Sequence, residues 1–495
     1  MLNTFLSTRE PNYTYKFIVE SSKKNCEKYN NKRLTLIVFK KNRIPSLRYL
    51  VFFIYIIFSG KIFKDNRSRI NFDNIEIGRF VLSKTLCDFE CYVNKLMFYK
   101  TLVKNFFIAG RLLSSCNDIY YKYKIKGVYV DHAGYINGII FSFFALKKIA
   151  VYSNNYPLGI YFVDYKKNKS THLKKYENTI KIKIKKNINK LQKRQAEIKI
   201  IKMIKKKDFI PYLAKAKYRK LDNINYKVYD YVVYTHSFTD GQMWYGFDGF
   251  ENTLQWLEFT LNKLIETEKK ILIKPHPNFY NNLLAEYAIW DKKIYETVVE
   301  KYKNYKNLHF LRKPSHNYLL LKKLNKNCVI ISKFGTSILE ASYMNFKSIC
   351  SSYNFFDKNF RISNMWSNKV NYLKLLNCDY NKLKISDKND LLKLIYTLFY
   401  FYHSEYHINF YDNIIRKNLK LTKKNYEIKF NIPAGSKISN SKIITFNSAV
   451  KLKEDLITNQ ISKTIWPNTQ MVIIVLDVEK NQLKKTTLIL KTQTN

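Results

Sequence analysis

Apolar residues along the chain follow two rhythms. Short runs rich in aliphatic and β-branched residues, LTLIVF at 34–39, YVVYT at 231–235, ILIK at 271–274, LHFL at 308–311, CVIIS at 328–332 and KSIC at 347–350, read as buried strands. Between them the apolar positions recur at helical spacing. Leu254, Leu257, Leu261 and Leu264 share one face of a helix expected from about Asn252 to Leu264, and further helices are expected near 315–323 and from Thr336 to Met344. The stretch 124–157 reads as strand, turn, helix, strand. Strands alternating with helices in this way predict an α/β fold with open parallel sheets.

Three segments depart from that rhythm. YLVFFIYIIF at 49–58 lies between Arg48 and Lys61 and falls well short of the roughly 20 residues that cross a bilayer, so it is expected to be a buried or interfacial helix. Residues 166–207 are rich in lysine: IKIKIKK alternates with period two, and LQKRQAEIKIIKMIKKK then spaces Leu191, Ile198, Ile201 and Ile204 as a helical stripe. That region is either a solvated helix with one buried stripe or a basic face held near anionic lipid. After DLLKLIYTLFYFYH, the chain from about residue 430 changes to short strands joined by polar turns. The expected organisation is therefore an α/β domain at 1–222, a second α/β domain at 223–402, a helical segment at 403–429 and a β-rich appendage of unassigned role at 430–495.

With 495 residues the chain has room for two or three domains. The formal net charge of +49 at pH 7 points first to nucleic acid or an anionic surface. Lysine far outnumbers arginine, however, and Asn, Ile, Tyr and Phe are abundant too, the residue set that AT-rich codons supply. No RNA-binding signature or zinc-finger spacing accompanies the charge, so no nucleic-acid partner is expected. The seven cysteines are scattered without a CxxC pair, as befits reduced thiols, and the start MLNTFLSTREPNY lacks the basic and apolar regions of a secretory signal. A cytoplasmic protein, peripheral at the inner face of the plasma membrane if the basic region touches lipid, is the expectation.

In open parallel sheets, ligands bind beyond the carboxyl ends of the strands. Three loops in such places carry the chemistry. KPHPNFY at 274–280 follows ILIK; Pro275 and Pro277 fix the backbone around His276, whose imidazole can bond a diphosphate oxygen or, as a catalytic group, protonate it as it leaves, and Lys274 either adds charge or is solvated. SKFGTSILEA at 332–341 places Gly335 where the backbone can approach a ligand, and Thr336 and Ser337 open a helix, either as caps or with free N–H groups toward an anion. Glu340, one turn on, either bonds ribose hydroxyls or is an ordinary surface carboxylate. THSFTDGQMWYGFDGF at 235–250 brings His236, an acceptor-side candidate, and Asp240 together with glycines and aromatics; Asp240 is a general base for an acceptor hydroxyl or a turn residue before Gly241. In the first half, VDHAGYINGI sets Asp131 and His132 after a strand and before a helix, where His132 can serve the acceptor side of the same cleft or its chemistry.

HSFTDG, IKPHPN and SKFGTSILEA followed by KSIC, in this order, resemble the capsule polysaccharide biosynthesis glycosyltransferases of GT-B fold, a group related to Kdo and bacterial sialic acid transferases; the likeness spans roughly residues 120–400. It implies two Rossmann-like open-sheet domains facing a cleft, the one at 1–222 on the acceptor side and the one at 223–402 binding the nucleotide-sugar donor, and a small β-rich C-terminal extension. It further implies transfer of a sugar from a nucleotide-sugar donor to a surface polysaccharide or lipid-linked glycan. The base falls on Asp240, the nucleotide phosphate contact on His276 with Pro277, and a second phosphate contact on Thr336 with Ser337. Thr239 stands where the sialyltransferase-like relatives have a first acidic residue. GT-B enzymes place basic groups and helix ends where others use Mg²⁺ or Mn²⁺, so no metal or other cofactor is expected. The alternatives are a CDP-alditol phosphotransferase of teichoic-acid type, and a basic non-catalytic scaffold for a membrane surface or nucleic acid.

Overall fold

The structure, a computed structural model, describes residues 44–122, 134–149, 188–206, 221–280 and 285–397 apart from a few positions within them, and outside these ranges the backbones of the strands named below. The chain divides into two compact units, one of Met1–Lys40 with His403–Asn495 and one of Lys41–Tyr402. In the first, β1 (Tyr15–Val19) and β2 (Leu34–Val38) pair in parallel.

The second unit opens with a helical layer: α1 (Leu47–Phe58), α2 (Ile77–Thr85), α3 (Glu90–Val93) and α4 (Lys95–Lys122). Strand β3 (Gly127–Val130), helix α5 (Gly138–Leu146) and strand β4 (Ala150–Asn155) then follow in the expected order, β3 and β4 pairing in parallel, and β5 (Gly159–Phe162) adds an antiparallel strand to β4. Tyr49, Phe80, Phe106 and Ile139 are fully buried in the core of this layer, which Met243 joins from a loop more than a hundred residues later. The apolar run at 49–58 is thus the helix expected, buried on one side only: Tyr49 and Ile56 are enclosed while its opposite face is open.

Helix α6 (Lys190–Lys206) also differs from the pattern read in its sequence. Its buried positions are Ala196, Ile200, Met203 and Ile204, and Leu191 and Ile198 are exposed. At about 100° per residue the former four cluster within one sector, and Leu191 and Ile198 project from the opposite one. Residues 163–187, including the alternating lysines, lie outside the described residues.

The second α/β domain runs β6 (Tyr231–Tyr234), α7 (Thr253–Ile265), β7 (Ile271–Lys274), α8 (Ala285–Tyr302), β8 (Leu308–Phe310), α9 (Asn317–Lys323), β9 (Val329–Ser332), α10 (Ser337–Tyr343), β10 (Ser348–Ser351), β11 (Asn364–Trp366), α11 (Lys369–Leu376) and α12 (Lys388–Tyr396). Its sheet has the order β11-β10-β9-β6-β7-β8, with every pairing parallel. Helices on both faces bury β7, β9 and β10 along their whole length, which is why these strands read as unbroken apolar runs rather than alternating ones. Asn252 caps α7 by accepting from the Gln255 amide, and Trp256, Leu257, Leu261 and Leu264 are buried below it, each worth roughly 1.5–3 kcal/mol of apolar burial.

The expected α/β architecture is present, including the parallel sheet at 231–366. In the first unit's later part, β12 (Tyr426–Asn431), β13 (Lys437–Phe446) and β14 (Ala449–Leu452) form one antiparallel sheet, and β15 (Thr469–Glu479) and β16 (Gln482–Thr492) form a hairpin pair. This is the β-rich segment anticipated after residue 430; residues 403–425 lie outside the described residues. The described cysteines, from Cys87 to Cys378, are all free thiols. Among the described residues no helix is long and apolar enough to cross a membrane.

Candidate functional site

The sheet order decides where a ligand crevice opens. From β6 the chain winds outward through β7 and β8, then crosses back to lay β9 on the other side of β6 and winds outward again through β10 and β11. The loops after β6 and β9 therefore leave in opposite directions, and the gap between them is the topological switch point of the sheet.

Three loops meet there. The rings of His236, after β6, and His276, after β7, have centroids 5.5 Å apart, and Phe334, after β9, packs on His236 at 4.3 Å. A Cβ on Gly335 would lie 3.9 Å from Cδ2 of His236, and Gly335 holds φ at +124°, a conformation that side-chain-bearing residues rarely adopt. Thr235 ties the first two loops together: its amide and its hydroxyl both donate to the Lys274 carbonyl, and its Oγ1 accepts from the His276 amide at 3.0 Å. The pattern of exposure then singles out a few side chains. In 235–243, 271–277 and 329–340 the residues are buried except His236, Asp240, His276, Pro277, Gly335, Thr336 and Ser337, with Tyr231 and its strand start aside.

Most of the residues picked from the sequence are thus brought to one place. Thr336 stands at the N-cap of α10, yet neither it nor any other side chain there makes a capping hydrogen bond, so capping does not account for its hydroxyl. Lys274 and Glu340 are placed differently: both are buried, Lys274 with its Nζ 5.5 Å from the centre of the Tyr234 ring, and Glu340 close enough to help burial push the Tyr234 phenol well up. They underlie the loops rather than lining the crevice. Asp131 and His132 lie outside the described residues.

Both imidazoles are held neutral. Burial lowers His236 to about 4, with Asp240 opposing and Lys333 reinforcing the shift, and burial together with His236 and Lys274 takes His276 well below the usual histidine range. Neutral rings can each donate one N–H hydrogen bond to an anion and take up a proton when that anion arrives.

The loop bearing His236 and Asp240 is shaped by residues that carry no sequence signal. Asp291, buried on α8, gathers four donors: the Ser237 hydroxyl at 2.5 Å, and the amides of Phe238 and Thr239 and the Thr239 hydroxyl, each at 2.9 Å. Burial nevertheless raises Asp291 to about 6, against the pull of those same donors. Tyr92 of α3 donates to the Phe238 carbonyl, and Tyr135, in the turn before α5, donates to the Asp240 carboxylate while accepting from the Gly241 amide. Asp240 is therefore not a turn-closing residue; the turn is closed by Ser237 Oγ, which accepts from the Asp240 amide at 3.1 Å. Beneath the third loop, Lys333 makes a buried ion pair with Asp248 at 3.3 Å and donates to the Phe250 carbonyl. Sequence reasoning missed Asp291 and Tyr92; Lys333, Asp248 and Tyr135 lay inside flagged segments without being singled out.

The sequence matches no protein-family model and no curated protein. Among solved structures, the chain is similar to a Thermosulfurimonas dismutans KpsC, a β-Kdo 2,4 transferase, at 10% identity and a TM-score of 0.35, covering 70% of this chain and 93% of that one. It is also similar to the UDP-GlcNAc 2-epimerase of Methanocaldococcus jannaschii, solved with UDP-GlcNAc and UDP, at 14% identity and a TM-score of 0.27, with 62% and 88% covered. A Rickettsia africae glycosyltransferase matches at 12% identity and a TM-score of 0.23, with 69% and 94% covered.

Proposed function

We propose that the chain is a GT-B-type glycosyltransferase that moves a sugar from a nucleotide-sugar donor to a surface polysaccharide or lipid-linked glycan. The observation that carries this reading is the convergence of His236, His276 and Gly335-Thr336-Ser337, the partly exposed members of otherwise buried loops, at the switch point of a parallel sheet. In this reading His236 and His276 donate to donor phosphate oxygens, and the free backbone N–H groups and hydroxyls of Thr336 and Ser337 complete the cradle. Lys274 acts from below as a fixed positive charge, and Glu340 supports the loop from within rather than reaching ribose directly.

The acceptor oxygen forms a bond to the anomeric carbon as the bond from that carbon to the donor phosphate breaks, and the nucleotide leaves with the electron pair. Asp240 takes the acceptor's proton, held in place by Tyr135, and His276 supplies a hydrogen bond to the leaving phosphate. Charge on the leaving group is met by imidazoles and Lys274, which makes the proposed reaction metal-independent. The assignment of capsule or lipopolysaccharide synthesis, and a cytoplasmic site of action, belong to the same proposal.

The test is thermal stabilisation of the full chain by CMP, CDP, UDP and GDP, repeated with His276→Ala. Stabilisation by at least one nucleotide that weakens strongly in the variant supports the reading. No response to any nucleotide, or a response untouched by His276→Ala, overturns it. Transfer of an alditol phosphate from a CDP-alditol with release of CMP would assign the chain to the phosphotransferase class instead.

A further inference from the structure

Helix α1 carries an exposed apolar face that has no part in the transferase reading. Ser46 caps this helix by accepting from the Tyr49 amide, and its inner side is firmly seated: Tyr49 is fully buried, donates its hydroxyl to the Phe106 carbonyl at 2.7 Å, and fits over Gly110 of α4, where any Cβ would meet the Tyr49 ring at 2.3 Å. The seating fixes which side faces out. Leu47, Val51, Ile54, Tyr55 and Phe58 recur at the spacing of a single helical face, and all are exposed, Leu47 at 78% and Phe58 at 86%. Phe63, just beyond the helix and packed edge-on against Tyr99 of α4, prolongs the apolar surface.

A water-facing helix would carry polar residues at these positions. Charge indicates what covers them instead. From residue 41 to residue 64 the chain has Lys41, Arg43, Arg48, Lys61 and Lys64 and no acidic residue at all. The nearest acids are engaged by arginines, Asp65 with Arg67 and Asp73 with Arg48, and Lys61 stands beside the stripe with its Nζ 4.6 Å from the Tyr55 ring centre. An apolar stripe bordered by cations, with a tyrosine at the boundary, matches the layered chemistry of an anionic bilayer surface, apolar inside and negative at the headgroups. At twelve residues, about 18 Å, the helix can lie in that interface but not cross it.

We propose that α1 is an interfacial helix that docks the protein on anionic phospholipid, with Leu47, Val51, Ile54 and Phe58 inserted among the acyl chains and Lys61 and Lys64 at the headgroups. This is a different surface from the lysine-rich region at 166–207.

Flotation of the full-length protein with vesicles of phosphatidylcholine alone, and of phosphatidylcholine mixed with phosphatidylglycerol, tests it. The protein should float with the anionic vesicles and scarcely with the neutral ones. Replacing Leu47, Ile54 and Phe58 together by Ser should lower partitioning at least about tenfold, and Lys61→Glu with Lys64→Glu should lower it by at least about fivefold for each lysine. A single Phe58→Trp variant, with quenching of the added fluorescence by brominated acyl chains, reads insertion even if the triple variant folds poorly. Absence of flotation on anionic vesicles, or unchanged partitioning with no quenching, overturns the proposal. So does a concentration-dependent dimer that the triple substitution abolishes while vesicles are ignored, since a second copy of the chain would then be what covers the stripe.

Discussion

Tyr135 donates its phenol hydrogen to the carboxylate of Asp240, joining two residues 105 positions apart and tying the turn before α5 to the loop that follows β6. The same phenol accepts from the Gly241 amide, so its orientation is fixed by the backbone and the carboxylate is placed by it in turn. If Asp240 is the base of the proposed transfer, Tyr135 is a positioning residue. Tyr135→Phe should reduce turnover about tenfold and leave nucleotide affinity unchanged. Steady-state kinetics with parallel calorimetric titration check this; an equal loss in both quantities would mean the contact only supports the loop.

Asp291 should be the larger structural determinant. Asp291→Ala strands two buried amides and two hydroxyls, and is expected to cost about 3 kcal/mol in denaturant unfolding. Asp291→Asn keeps an acceptor for the amides and should cost about 1 kcal/mol or less.

The pH dependence of folding follows from the same groups, with opposite signs. His236 is lowered to about 4 from 6.5, so the folded state holds its proton less tightly than the unfolded chain. Its contribution is complete above pH 6.5 and is lost as pH falls toward 4, on the order of 3 kcal/mol in all, with His276 acting in the same direction. Asp291 is raised from 3.8 to about 6, so its penalty is full above pH 6 and is relieved as pH falls toward 3.8. Melting temperature against pH should therefore show a shallower acid limb in His236→Asn than in wild type, and a steeper one in Asp291→Asn.

Nucleotide binding should draw protons into the protein. Two imidazoles kept neutral in the free site gain a negative neighbour when phosphate arrives, which favours their charged forms. Titration calorimetry of a stabilising nucleotide in buffers of different ionisation enthalpy should show proton uptake on binding near pH 7, and affinity should rise as pH is lowered from 8 to 6. His236→Asn together with His276→Asn should remove the uptake.

Lys333 and Asp248 offer a test that does not involve a ligand. Their side chains are almost wholly buried, and burial lowers the Lys333 ammonium against the opposing pull of Asp248. Lys333→Ala leaves a buried carboxylate unmatched and should cost about 3–5 kcal/mol. Converting both, Lys333→Met with Asp248→Leu, should recover most of that loss in chemical denaturation.

Much of this was legible in the sequence because parallel strands buried on both faces write themselves as unbroken apolar runs, and ILIK, YVVY and VIIS each became a strand within a residue of the expected ends. His236, His276 and Gly335-Thr336-Ser337 were legible because strand-end loops are where this kind of fold binds ligands. Asp291 was not, since a single aspartate in the amphipathic stretch AIWDKK looks like any solvated helix residue until tertiary packing turns it inward. Lys274 and Glu340 illustrate the converse: their positions were right in sequence, but the strand and helix phases direct both under the loops, toward Tyr234. Of the stripe expected on α6, Ile204 is buried, and Leu191 and Ile198 are exposed for a reason of phase as well, lying on the far side from Ile200 and Met203.

The place of β6 inside its sheet, with β7 and β8 on one flank and β9 to β11 on the other, has a consequence for how such a protein can diversify. Both growing edges of the sheet, beside β8 and β11, are far from the strand whose loop carries His236 and Asp240. Length changes beside β8 can reshape that margin without altering the register of β6 against β7 and β9, whereas the chain before β11 is anchored, Phe356, Phe360 and Ile362 being buried and Tyr353 lying against Gly246 of the loop after β6. The centre that carries His236 and Asp240 is thereby shielded from length variation at that edge, and the freedom to remodel is left to the margin.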